Sequence, residues 1–210
     1  MTAERERASE RARGPVFEEG KPLALGDTDE NPLGIGFRAL LLEDFRTHGG
    51  DPLSPGFWAL AVHRFGNRRM GVRSRALRAP LTVAYRVAYR AVIALFGIDL
   101  PYNAKIGRRF RIAHHGCFHL GARAVGDDVY IRHSATIGLA RRTEIAFAPT
   151  IGDRVEVGPG ACIVGDIHIG DDCFVGPNTV LADDLAPGAT ALGVPARVVD
   201  LKQYVERPGG

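Results

Sequence analysis

An apolar residue recurs at every sixth position in the second half of the chain. The anchors of this repeat are Ile151, Val157, Ile163, Ile169, Val175 and Leu181, and a second, mostly small or apolar residue follows each anchor after four positions. A period of six matches neither the 3.6 residues of a helical turn nor the two-residue alternation of a strand. It is typical of a coil of three short strands, each with its anchor pointing inward. The pattern predicts a parallel β-helix, in its left-handed triangular form.

The same repeat is already present upstream, but it is interrupted twice. It occurs in two groups of three anchors, Ile106, Ile112 and Phe118, then Val125, Ile131 and Ile137. One extra residue separates the two groups, and from Leu139 to Pro149 the repeat fails over a stretch too long for a tight corner. Such a stretch predicts a loop extruded from the coil, and loops on a rigid scaffold often carry function. We assign the β-helix to residues 98–199.

Before residue 98 the apolar spacing becomes helical, which predicts a small α-helical region over residues 33–97. Helices are predicted from about Phe37 to Phe45, from Phe57 to Arg68 and from Ser74 to Phe96, the last one started or kinked by Pro80. The third helix is apolar enough to suggest a membrane span. Because four arginines interrupt it, we predict a buried or interfacial helix and no span. Residues 1–32 and 200–210 are predicted to be tails, the first flexible or loosely docked.

Composition narrows the possible functions further. The chain has 27 Lys and Arg against 24 Asp and Glu, and its basic residues are not clustered on one predicted face. This balance does not indicate a nucleic-acid partner. The three cysteines show neither disulfide-like nor metal-ligand spacing. No apolar signal-peptide core lies between Met1 and Arg13, so a cytoplasmic location is expected.

Several motifs identify a family that this chain resembles. They are Ile98-Asp99, Ala104-Lys105-Ile106-Gly107, Ile112-Ala113-His114, Thr136-Ile137-Gly138, Val157-Gly158-Pro159-Gly160-Ala161 and Gly193-Val194-Pro195-Ala196-Arg197-Val198. With the extruded loop and the preceding helices, the chain resembles the serine acetyltransferase family over residues 37–198. The resemblance implies acetyl-CoA as co-substrate, no metal, and a small hydroxyl acceptor, first of all L-serine. It also implies a homotrimer or a dimer of trimers, with active sites in clefts between adjacent coils.

The resemblance also implies the catalytic residues. His114 matches the base of the family, and Asp99 matches the carboxylate that orients it. An imidazole has its pKa near neutral pH, and a carboxylate on its other ring nitrogen fixes the tautomer. His115 is an alternative base, because a one-residue deletion relative to the family lies just downstream. His119 and His133 are candidates for lining the same cleft.

Further residues are assigned to binding. The resemblance implies that Asp51 contacts the acceptor, although a helix N-cap is an equally simple role for it. The other predicted acceptor-binding residues are His115, His133 and Arg142. The predicted CoA-binding residues are Gly138, Gly158, Gly160 and Ala161, where small size lets the pantetheine arm approach the backbone, and Arg197, which meets a CoA phosphate. His114, His115 and His119 also suggest a metal site, but alternate residues of a coil face different sides.

The acceptor pocket departs from the family pattern. Ala113 stands where the family has an aspartate, and Ala148 stands where it has a second histidine. The C-terminus lacks the terminal isoleucine through which members dock to their sulfhydrylase partner, so a cysteine synthase complex is doubtful. Arg141, Arg142 and Glu144 in the loop are candidates to compensate. One alternative is therefore acetylation of a sugar, polysaccharide or specialised-metabolite hydroxyl. The other is a non-catalytic or metal-dependent hexapeptide protein.

Overall fold

A computed structural model describes residues 28–140 and 148–200. Within these residues three α-helices come first, α1 (Phe37–Thr47), α2 (Pro55–Arg68) and α3 (Arg75–Phe96), with a 3-10 turn at Arg69–Gly71. Short strands of two or three residues follow within the described part: β1 (Ile98–Asp99), β2 (Lys105–Ile106), β3 (Arg111–Ala113), β4 (Phe118–Leu120), β5 (Ala124–Val125), β6 (Tyr130–Arg132), β7 (Thr136–Gly138), β8 (Thr150–Ile151), β9 (Glu156–Val157), β10 (Cys162–Val164), β11 (His168–Ile169), β12 (Phe174–Val175), β13 (Val180–Leu181), β14 (Thr190–Leu192) and β15 (Arg197–Val199).

These strands form the three faces of a β-helix. Sheet A has the order β1-β4-β7-β10-β13, sheet B the order β2-β5-β8-β11, and sheet C the order β3-β6-β9-β12-β14-β15. All described pairings are parallel except that of β14 with β15. Each of the six anchors from Ile151 to Leu181 is at most 4% exposed. The predicted parallel β-helix is therefore confirmed, and its core is the column of anchors.

At one corner of the β-helix, side-chain hydrogen bonds connect each coil to the next, in addition to the pairing of the strands. Asp153 Oδ1 accepts the backbone N–H of Asp127 at 2.7 Å, and Asp171 Oδ1 accepts that of Asp153 at 2.8 Å. A Cβ added to Gly152 would lie 2.4 Å from Asp171 Oδ1, closer than non-bonded atoms approach. Glycine is needed at this position because the next coil lies directly against it.

Coil length varies, and the variation decides which residues meet. Thr150 pairs with His168, a regular spacing of 18 positions, whereas Ala124 pairs with Thr150 across 26. The eight additional residues fall between β7 and β8, where the sequence predicts the extruded loop. Residues 141–147, which include the predicted acceptor-binding Arg142, lie outside the described part. In the first coil, Ile98 pairs with Phe118 across 20 positions.

A buried arginine joins the helices to the coil. Arg64 is fully buried, and its Nε donates to Asp44 Oδ2 at 3.0 Å. Its Nη1 and Nη2 donate to the backbone carbonyls of Ile106 at 2.7 Å and Gly107 at 2.6 Å. One side chain of α2 thus pairs with a carboxylate of α1 and satisfies two carbonyls at the end of β2. The segment before α1 is held here too, since Asn31 Nδ2 donates to the Arg64 carbonyl at 3.0 Å.

Helix α3 differs from its prediction in two respects. It begins at Arg75 and continues through Pro80, which lies in its second turn. By length and composition it is apolar enough to cross a membrane, with a mean hydropathy of 1.3, yet only 11% of its most apolar stretch is buried. Within one chain the helix is therefore mostly exposed, and of the predicted buried or interfacial positions only the interfacial one remains a prediction. The exposed apolar side chains of α3 are Leu77, Val83, Val87 and Leu95.

We predict that Arg64→Met lowers the free energy of unfolding by about 3–5 kcal/mol, because Asp44 is left buried without its counter-charge. Arg68→Ala is the matched control. Arg68 lies one turn later and pairs with Asp29 at 3.3 Å, but it is 62% exposed, so a loss below about 1 kcal/mol is expected. Urea denaturation of both variants measures the difference. Equal midpoints and slopes for the two variants would contradict the role given to Arg64.

Candidate active site

A carboxylate and an imidazole face each other on the outer side of sheet A. Asp99 in β1 lies opposite His119 in β4. Asp99 Oδ2 accepts a hydrogen bond from His119 Nδ1 at 2.9 Å, and the Tyr89 hydroxyl from α3 donates to Asp99 Oδ1. A carboxylate can only accept here, so Nδ1 of His119 carries its proton and Nε2 keeps its lone pair. This arrangement is a histidine held in one tautomer.

The pair also tunes its own proton affinities. The hydrogen bond to Asp99 raises the pKa of His119 above its ordinary value, against the opposing effect of partial burial. The hydrogen bond from His119 lowers the pKa of Asp99, and the Tyr89 hydroxyl acts in the same direction. The side chains of His119 and Asp99 are 45% and 38% exposed, so solvent and a ligand can reach them.

The free nitrogen of His119 faces two glycines. A Cβ added to Gly121 would lie 3.1 Å from His119 Nε2, and one added to Gly138 would lie 3.7 Å away. Any side chain at Gly121 would therefore crowd this nitrogen. The absence of both Cβ atoms leaves space where a hydroxyl or a thioester can approach Nε2.

His114 has a different environment from the predicted one. It follows β3 at the corner between sheets C and A, in the left-handed region with φ of +57°. Its ring meets that of His133, at the equivalent corner after β6, edge to face with centroids 5.6 Å apart. In place of the predicted pairing of Asp99 with His114, Asp99 binds His119. The physical reason is the 20-residue first coil, which puts His119 rather than an earlier residue beside Asp99.

The two other histidines predicted to bind the acceptor, His115 and His133, have different surroundings. His115 is exposed, and the Nδ1 atom of His133 is buried with no hydrogen-bond partner within the described residues. The described residues also contain no group of three or more His, Cys, Asp or Glu side chains placed to hold a metal ion.

Asp51 lies in the connection between α1 and α2, and its Oδ1 accepts the N–H of Leu53 at 2.8 Å. This connection is anchored at β3, because the Ile112 N–H donates to His48 Nε2 at 3.3 Å. On the other side of it, a Cβ on Gly56 would lie 2.6 Å from the Ile112 carbonyl oxygen. Both contacts are two positions before His114. The structure thus brings the Asp51 turn to the end of the strand that precedes His114.

The predicted CoA-binding residues divide into three groups. A Cβ on Gly158 would lie 2.6 Å from Pro177 N, and one on Gly160 would lie 2.2 Å from Asn178 Oδ1, so stacking of the next coil already requires both glycines. Ala161 is 1% exposed and belongs to the core. Gly138 borders His119, and Arg197 is exposed on β15. Of this set, only Gly138 is next to the carboxylate–imidazole pair.

Tyr89 was missed from the sequence. Helical spacing puts it one turn from Tyr85, and the two rings stack at 5.6 Å. Both line an open groove of about 570 Å³ between α3 and Pro101–Asn103, together with Arg86 and Arg90. The available signal was this recurrence of tyrosine and arginine at intervals of four along α3.

Comparisons with known proteins agree with the β-helix of hexapeptide repeats. A family described as "Bacterial transferase hexapeptide (six repeats)" matches residues 148–183. The chain is 39% identical over 126 residues to a serine acetyltransferase of Mycobacterium tuberculosis, covering 60% of this chain and 54% of that relative. It is 36% identical to a serine acetyltransferase of Helicobacter pylori strain J99, covering 70% of this chain and 82% of that relative.

A second kind of relative matches over its whole length. The putative colanic acid biosynthesis acetyltransferase of Escherichia coli K12 is 36% identical, covering 77% of this chain and 100% of that relative. Among solved structures, the soybean serine acetyltransferase apoenzyme superposes with a TM-score of 0.65 at 29% identity, covering 78% of this chain and 69% of that one. With a shared coil and a relative matched over 82% of its length, the chain belongs to the serine acetyltransferase family of hexapeptide-repeat acetyltransferases.

Proposed function

We propose that the chain transfers the acetyl group of acetyl-CoA to a hydroxyl, with L-serine as the leading acceptor. The observation that carries the proposal is the Asp99–His119 hydrogen bond of 2.9 Å, which leaves an imidazole nitrogen free on an accessible face. Membership of the serine acetyltransferase family supplies the donor and the first acceptor.

The acetyl transfer requires a general base that takes the proton of the acceptor hydroxyl. A hydroxyl is a poor nucleophile at neutral pH, so an imidazole takes its proton as the oxygen attacks the thioester carbonyl carbon. The carbon–sulfur bond then breaks, and the CoA thiolate takes the proton back from the imidazolium. Backbone N–H groups at a coil edge are suited to stabilise the intermediate oxyanion. The assignment of the base to His114, made from the sequence, stays a prediction.

A sugar or polysaccharide hydroxyl is the second candidate acceptor. Ala113 and Ala148, 7% and 0% exposed, stand where the family has an aspartate and a histidine. Each missing charge-assisted contact costs roughly 1.5–3 kcal/mol of binding, which weakens the case for an amino acid. The relative matched over its whole length is named for colanic acid biosynthesis, which favours a saccharide.

The assembly proposed is a homotrimer or a dimer of trimers in the cytoplasm. The exposed apolar side chains of α3 support burial of this helix in an assembly, because a contiguous apolar face is rarely left in water. Where active sites lie between adjacent coils, a second chain contributes residues to each site. We do not propose a cysteine synthase complex.

We expect release of free CoA from acetyl-CoA when L-serine is added to the purified chain, at a rate well above that of acetyl-CoA alone. Free thiol is measured in parallel with a panel of hexoses and oligosaccharides at equal concentrations. L-Threonine is the matched control acceptor, because it differs from serine by one methyl group on the carbinol carbon. Turnover faster with a saccharide than with serine would select the second candidate, and no turnover with any acceptor would contradict the proposed function.

We expect the purified chain to elute with three or six times the 22.6 kDa mass of one chain in light scattering coupled to size exclusion. An assembly is required because the proposed active sites lie between coils of different chains. A monomer that retains full activity would contradict this placement of the sites.

A further inference from the structure

An open groove of about 570 Å³ lies beside the Asp99–His119 pair, and the acetyl transfer gives it no role so far. Helix α3 forms one of its walls, and the segment after β1 forms the other. The residues that line it are Tyr85, Arg86, Tyr89, Arg90, Pro101, Tyr102 and Asn103. We call it the tyrosine–arginine groove. Its combination of aromatic rings with guanidinium groups indicates the chemistry of a ligand.

The tyrosine rings of the groove are held in place by their neighbours. Tyr85 is 5% exposed and stacks on Tyr89 with ring centroids 5.6 Å apart. Tyr102 meets Tyr85 edge to face at 5.2 Å, and Arg69 lies over the rings of both. Tyr89 and Tyr102 are half-buried, so each presents part of its ring to the groove. Flat apolar surfaces that are already ordered suit the C–H face of a sugar ring.

The charge of the groove is positive, and nothing on α3 balances it. This helix has four arginines and no acidic residue. Arg86 and Arg90, one turn apart, are exposed, and in the described part of the chain neither forms an ion pair with a carboxylate. By contrast, Arg154 on the coil is 50% exposed and pairs with Asp172 at 2.6 Å. Two unpaired guanidinium groups suit a carboxylate or a phosphate, because such an anion accepts several N–H donors at once.

The groove leads to the candidate active site. Tyr89 is one of its walls, and its hydroxyl also donates to Asp99, the partner of His119. The hydrogen bond from His119 lowers the pKa of Asp99 most, and the charge of Arg90 lowers it further, so this guanidinium lies near the carboxylate. A saccharide held in the groove therefore presents a hydroxyl toward this site. The groove is also large for a single amino acid, since volumes of this size hold drug-sized ligands.

We propose that the tyrosine–arginine groove binds an anionic saccharide, with the carboxylate or phosphate on Arg86 and Arg90 and a sugar ring against Tyr89. This inference rests on the proposed function and specifies its second candidate acceptor. No bond is made or broken in the groove. It holds the saccharide so that one hydroxyl reaches the histidines of the candidate active site. Because both guanidinium groups are exposed, the affinity should fall as the ionic strength rises.

Calorimetry on the full chain without CoA tests this binding directly. Trigalacturonate and its neutral methyl ester form one matched pair of probes, and glucose 1-phosphate and glucose form the other, so the pairs separate a carboxylate from a phosphate ligand. We expect the anionic member of at least one pair to bind more tightly than its neutral partner. Arg86→Gln and Arg90→Gln should each weaken this binding about tenfold or more. Arg75→Gln, on the same helix but outside the groove, is the matched control and should bind as the wild type does.

Two variants of Tyr89 test the contact with the sugar ring. Tyr89→Phe keeps the ring and should bind the anionic probe as the wild type does. Tyr89→Ala removes the ring and should bind it about two- to tenfold more weakly. Circular dichroism checks that both variants fold. An unchanged affinity in a folded Tyr89→Ala variant would overturn the position given to the sugar.

The two proposals fail in different ways. Anionic and neutral probes that bind equally, or not at all, defeat the inference alone, because serine turnover is measured separately. In the CoA-release assay, Arg86→Gln and Arg90→Gln should raise the KM for an anionic saccharide and leave the KM for acetyl-CoA nearly unchanged. A rise in the KM for acetyl-CoA instead would assign the two arginines to the CoA phosphates and overturn the inference. A wild-type chain that binds the anionic probe but releases no CoA with any acceptor defeats the proposed function, while the affinity of the groove stands.

Discussion

The stacking of one coil on the next is the constraint on which this structure depends. The inward anchors form a continuous column with almost no exposed surface, and the parallel strands keep each residue beside one partner in the coil above. The Gly-Asp corner leaves no space for a side chain at Gly152, because Asp171 of the next coil already occupies it. The number of residues in one coil therefore determines which residues of the neighbouring coils lie beside an outward-pointing residue.

The Asp99–His119 pair follows from this constraint and from the attachment of the helices. A first coil of 20 residues brings Asp99 beside His119. Helix α3 supplies Tyr89, and Arg69 fixes α3 against the segment after β1 by lying 4.4 Å and 4.1 Å from the Tyr85 and Tyr102 ring centroids. Arg64 in turn holds α2 to the end of β2. The carboxylate is thus positioned from both its strand and its helix.

The fold was predictable from the sequence because the six-residue period of the anchors has one simple structural solution. The extruded loop after Gly138 was predictable for the same reason, since the period fails there. The hydrogen-bond partner of Asp99 was not predictable, because one coil of irregular length shifts the strand register by a residue or two. A regular coil of 18 would put Cys117 beside Asp99. Motif matching follows the linear order of the chain and not its pairing, so the resemblance implies His114 as the base, and that role stays a prediction.

We expect the choice of acceptor to depend on positions where this chain differs from the family. Ala113 and Ala148 stand where the family has an aspartate and a histidine, whereas His119, bonded to Asp99, and the exposed His114 keep accessible imidazoles. The central claim is that an imidazole of this region takes the proton of the acceptor hydroxyl. A crystal structure with CoA and the preferred acceptor tests it most directly. The account predicts the acceptor hydroxyl within about 3 Å of a ring nitrogen of His114 or His119. A hydroxyl bound out of reach of both rings would contradict it.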